Sequence, residues 1–74
     1  MDVEKIIVRM KNQPNAICPA DAEKVLEAYG YTFDRQKGSH RIYVNKEYKE
    51  TLSIPYKNPI KAFYVKEILK RINR

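Results

Sequence analysis

The stretch 31–55, YTFDRQKGSHRIYVNKEYKETLSIP, decides the fold. Its bulky residues recur with a period of two, the spacing of half-buried strands. Tyr31-Thr32-Phe33-Asp34-Arg35 alternates bulky and polar side chains, and Lys37-Gly38-Ser39 then reads as a turn. His40 to Asn45 puts Ile42 and Val44 on one face of a second strand, with Arg41 and Tyr43 on the other. Asn45-Lys46-Glu47 makes a second turn. Thr51 to Tyr56 predicts a third strand with Leu52 and Ile54 facing inward, and Pro55 marks an edge or a strand terminus. Links this short imply an antiparallel meander.

On either side of this stretch the period changes to that of a helix. Val3, Ile6, Ile7 and Met10 follow the i, i+3, i+4, i+7 pattern; Asp2 is placed to cap the helix and Pro14 to stop it. A second helix is predicted from Pro19, a residue suited to a first turn, with Ala22, Val25, Leu26 and Tyr29 as its stripe and Gly30 at C′. Tyr29 and Tyr31 both read as core. Asp21 and Glu23 lie where the helix dipole favours carboxylates. Lys57-Asn58-Pro59 breaks the pattern before a last helix from about Lys61, with Val65, Ile68, Leu69 and Ile72 inward. The expected architecture is α+β, in the order α-α-β-β-β-α, with helices packed on one face of a three-stranded antiparallel sheet. Residues 1–74 make one domain, because a chain this short cannot enclose a second core.

Hydrophobic residues make up 43% of the chain and charged residues 32%, enough for one thin core and too much for a disordered segment. The longest apolar run, Ile6-Ile7-Val8, is far short of a membrane span, and no secretory signal precedes it. Cys18 is the single cysteine, so no internal disulfide forms, and a lone thiol suits a reducing cytoplasm. The formal charge is +6, but residues 1–30 carry four bases against five acids. All of the excess therefore lies beyond residue 30, which suits a polyanion-binding surface. Solubility alone is the competing reading of that charge.

His40 is the only histidine, and it sits where a glycine turn meets a strand. Histidine titrates near neutrality and serves as general base or acid without extreme tuning. Arg35, Lys37 and Arg41 surround it in sequence; Gly38 permits close backbone approach, and the Ser39 amide and hydroxyl can bind a phosphate oxygen. This set suits RNA cleavage, in which a base takes the ribose 2′-hydroxyl proton and cations stabilise the charge growing on phosphate. A turn histidine with no role, hydrogen-bonded at a strand end, fits the same spacing, and the parity with Ile42 and Val44 favours it. Tyr43, on the face of Arg41, is the best placed of six tyrosines to touch RNA. Lys61, Lys66, Lys70, Arg71 and Arg74 either follow a bound strand or form a solvated helix face. Asp34, Glu47 and Glu50 read as scattered surface charge rather than metal ligands. Cys18, beside Pro19, reads as a buried small residue or a weak cap.

Leu26-Glu27-Ala28-Tyr29-Gly30-Tyr31-Thr32-Phe33 followed by Arg35-Gln36-Lys37-Gly38-Ser39-His40-Arg41-Ile42-Tyr43 resembles the HicA family of bacterial toxins. The similarity continues through Leu52-Ser53-Ile54-Pro55 and Lys66-Glu67-Ile68-Leu69-Lys70. The resemblance implies a fold like that of double-stranded-RNA-binding domains. It also implies a cytoplasmic mRNA endonuclease with His40 catalytic, no metal or organic cofactor, and a HicB antitoxin as the inhibiting partner. Three features depart from the family pattern. Arg41 stands where many members have a second histidine, Lys57 replaces a histidine in the loop after the third strand, and residues 1–14 add a helix before the 19–73 core. His40 is then left with a water, Lys57 or Arg41 to complete the proton transfers, and the added helix extends the core or binds the antitoxin. A non-catalytic RNA-binding module and a protein-interaction domain are the competing functions.

Overall fold

The computed structural model describes residues 2–73. Its elements run α1 (Val3–Asn12), α2 (Pro19–Ala28), β1 (Tyr31–Lys37), β2 (His40–Asn45), β3 (Glu50–Pro55) and α3 (Ala62–Ile72). The strands form an antiparallel meander in the order β1-β2-β3, as the alternation in the sequence predicts. The α+β order matches the expectation element for element. No helix among the described residues is long and apolar enough to cross a membrane.

Local chemistry sets the helix ends. The Asp2 carboxylate accepts from the Glu4 amide at 3.3 Å and starts α1. Pro19 occupies the first turn of α2; Cys18 is the N-cap residue but contributes no side-chain hydrogen bond. Gly30, at φ +91°, turns the chain from α2 into β1 while its amide bonds back to the Glu27 carbonyl. That turn also leaves Tyr29 at the C-cap rather than on the inward stripe. The residue is 44% exposed, so Tyr29 is not the core residue that periodicity suggests.

All three helices pack on one face of the sheet. Ile6 and Met10 of α1, Val25 and Leu26 of α2, and Val65 and Ile68 of α3 are fully buried against Tyr31, Tyr43, Leu52 and Ile54. The first helix is therefore part of the core, with Val8 left outside at 56% exposure. An amide bond from Ile60 to the Ile17 carbonyl (2.9 Å) stitches the α1–α2 connection to the segment before α3.

The register decides the faces, and it differs from the alternation in one respect. Leu52 and Ile54 face the helices as expected, and across the ladder they pair with Tyr43 and Arg41. Cross-strand partners share a face. Tyr43 and Arg41 therefore point towards the helices, while His40, Ile42 and Val44 lie on the opposite, open face. Ile42 is buried but lies outside the helix-facing core. A reading that takes the aliphatic side of β2 as the inner one is thereby corrected: the larger Tyr43 fills the space against α2, which Ile42 and Val44 do not.

In β1 the pairing shifts between Phe33 and Arg35, and Asp34 is the extra residue of a β-bulge. Phe33 pairs with Tyr43, then Arg35 with Ile42 and Lys37 with His40. Arg35 and Lys37 thus share the open face with His40.

Because α1 contributes two fully buried side chains, Met10→Ala should lower stability by about 2–5 kcal/mol, the usual cost of truncating a core residue. Urea titration monitored by circular dichroism measures it; a loss below about 1 kcal/mol would contradict the packing of α1.

Candidate active site

Gly38 and Ser39 form the two-residue turn between paired Lys37 and His40. Gly38 has φ +62° while Ser39 does not enter the positive region, the pattern of a II′ hairpin whose twist suits the flanking strands. An added Cβ on Gly38 would meet open space, so the turn is uncrowded at its tip. The Ser39 carbonyl accepts from the Tyr56 amide at 2.7 Å, which fastens the turn to the chain leaving β3. Lys57 follows at once, exposed, with its amide bonded to the Pro55 carbonyl at 3.0 Å.

The structure brings His40, Lys37, Arg35, Gly38 and Ser39 together at one end of the open face. His40 pairs with Lys37 on one side and Pro55 on the other, and its ring is exposed. Among the described residues its side chain makes no hydrogen bond. Lys37 is exposed and in no ion pair among those residues, whereas Arg35 pairs with its neighbour Asp34. An exposed pair of this kind contributes little and gives way readily to another anion.

Arg41 and Tyr43 lie on the other face, towards the helices. One Glu23 oxygen, Oε2, accepts from the Tyr43 hydroxyl at 2.6 Å and from Arg41 Nη2 at 3.0 Å. The guanidinium also lies 4.1 Å from the Phe33 ring centre and 4.7 Å from that of Tyr56. Burial works against its charge, but the Tyr43 hydroxyl and Glu23 outweigh that and raise Arg41 above its ordinary value. Its Nε is buried with no hydrogen-bond partner in the described residues. Held between two rings and a carboxylate, Arg41 braces β2 against α2 rather than reaching towards His40. Tyr43 is 3% exposed, and burial, then the Glu23 bond, push its phenol up to about 12. It remains a protonated donor throughout the neutral range.

Sequence reasoning gave Glu23 only a dipole role and gave Tyr56 none; neither has a local signal that reveals a partner across the fold. Glu50, read as solvated charge, accepts from Tyr31 Oη at 2.8 Å and from Arg71 Nε at 3.1 Å. Arg71 is bonded also to Glu67, so the basic end of α3 is partly neutralised. Arg74 of that set lies outside the described residues.

A small basic α+β protein, with a lone histidine and two cations at the open end of its sheet, is the class these features define. Residues 19–73 match the model of the HicA toxin of bacterial toxin–antitoxin systems, and the chain belongs to that family. Helix α1 precedes the matched region. Neither the curated proteins nor the solved structures gave a match.

Tyr43 makes the fold sensitive to alkali. Free tyrosine loses its proton near pH 10. Between there and about 12 the folded chain retains a Tyr43 proton that the unfolded chain has lost, so stability is complete below that window and falls as pH rises through it. Denaturant midpoints measured across the window should drop less steeply for Tyr43→Phe than for the wild type. Equal slopes would contradict the assigned role of Tyr43.

Proposed function

We propose that this chain is the mRNA-cleaving toxin of a toxin–antitoxin pair, with His40 as its acid/base catalyst. The observation that carries the reading is the direct pairing of Lys37 with His40 beside the Gly38-Ser39 turn, all four residues being exposed. HicA toxins are generally known as ribonucleases. On this reading the imidazole takes the proton from a ribose 2′-hydroxyl, whose oxygen attacks the adjacent phosphorus. The bond to the 5′ oxygen breaks, that oxygen receives a proton, and a 2′,3′-cyclic phosphate remains. Lys37 and Arg35 stabilise the charge on the phosphate, and the Ser39 amide or hydroxyl binds one of its oxygens. Lys57 or a water completes the second proton transfer; Arg41 is tied to Glu23 and Tyr43 too firmly for it.

The mechanism employs no metal. A HicB antitoxin is the partner expected to silence it, by covering the same face. The second reading is a non-catalytic RNA-binding module, favoured by one observation: no other titratable side chain bonds His40 among the described residues.

RNA incubated with the protein in the presence of a chelator should be cut, and His40→Ala should reduce the rate about 10²–10⁴-fold. Undiminished cleavage by the variant removes His40 from the mechanism. Cleavage abolished by chelator removes the metal-free chemistry, and bound but uncut RNA supports the binding module.

A further inference from the structure

We infer that the open face of the sheet is the track along which a single RNA strand lies, running from His40 towards the far ends of the strands. The inference rests on the RNA reading above and names the surface that reading leaves unspecified. Its starting point is the bulge at Asp34. In an unbroken alternation from Tyr31, the open face would carry Asp34 and Gln36, and Arg35 and Lys37 would turn towards the helices. The extra residue reverses this and sets both cations on the side of His40.

Beyond the cations, the ladder places Ser53 across from Ile42 and Thr51 across from Val44, so both hydroxyls stand on the open face. Both residues are exposed. They supply neutral donors and acceptors for phosphate and 2′-hydroxyl oxygens. Apart from the bulged Asp34, no carboxylate of the described strands lies on this face, because Glu50 pairs with Asn45 on the helix side and is bonded to Tyr31. On the helix side the arginines are paired: Arg9 with Asp21, Arg41 with Glu23, and Arg71 with Glu50 and Glu67. A polyanion therefore finds Lys37 in no ion pair among the described residues, and Arg35 held only by its exposed neighbour Asp34, on the open face. A single strand suits the chemistry better than a duplex, since in-line attack by a 2′-oxygen requires a nucleotide free to splay from its neighbours.

The test uses His40→Ala protein, so that RNA survives, and an unstructured fluorescent RNA oligonucleotide titrated at several salt concentrations. Thr51→Glu and Ser53→Glu should each weaken binding about tenfold or more. Asn12→Glu, the same charge change at an exposed site on α1, should cost less than about twofold. Lys37→Ala should reduce the slope of log affinity against log salt by about one contact. Thermal melts within a few degrees of the parent establish that the variants fold. Thr51→Glu and Ser53→Glu affecting binding no more than Asn12→Glu overturns the track while leaving RNA binding intact. Absence of binding by the parent, even at low salt, overturns the RNA reading itself.

Discussion

Asp34 has no partner in the β1–β2 ladder, and every side chain of β1 after it changes face as a result. Before the bulge, Tyr31 and Phe33 point to the helices, one buried and one packed edge-on against the Tyr43 ring. After it, the helix-side place falls to Gln36 and the open-face places to Arg35 and Lys37. The hairpin turn could not produce this by itself, because a two-residue loop only continues the register it receives. A one-residue insertion in the strand both separates the apolar half of β1 from its basic half and aligns that half with His40.

The opposite face is secured by Glu23. Its carboxylate holds the Tyr43 hydroxyl and the Arg41 guanidinium together, joining the middle of β2 to the first half of α2. Charge-assisted bonds of this kind are stronger than neutral ones, and losing one partner leaves the other poorly solvated. Arg41 extends the brace through Phe33 and Tyr56, and the Tyr56 amide completes it at the Ser39 carbonyl. His40 is thus surrounded by backbone fixed on three strands, yet its own ring is unconstrained.

Much of the fold was legible because it depends on local pattern. The period of two in residues 31–55, the caps at Asp2 and Gly30, and Pro19 at a helix start all act over a few residues and survive in the structure. The gathering of Arg35, Lys37 and Ser39 around His40 was visible for the same reason, since a tight turn keeps sequence neighbours close. The orientation of β2 was not. Both of its faces carry bulky residues, and only the pairing of Tyr43 with Leu52 decides which one is buried. Nor was the bulge readable, because Tyr31 to Arg35 alternates as well without it. The partnership of Glu23 with Arg41 and Tyr43 spans 18 and 20 residues, beyond the reach of any periodicity. The family match over residues 19–73 supplies what spacing around one histidine cannot, a reason to read the turn as functional.

The central claim is that His40 and the two cations beside it share one RNA-facing surface. Backbone amide chemical shifts of labelled His40→Ala protein, followed as single-stranded RNA is added, test it most directly. The account predicts the largest changes at Arg35, Lys37, Ser39, Thr51 and Ser53, with the core-facing amides of α1 and α2 little affected. Changes concentrated on α3 or around Glu23 and Tyr56, with the open face silent, would contradict it.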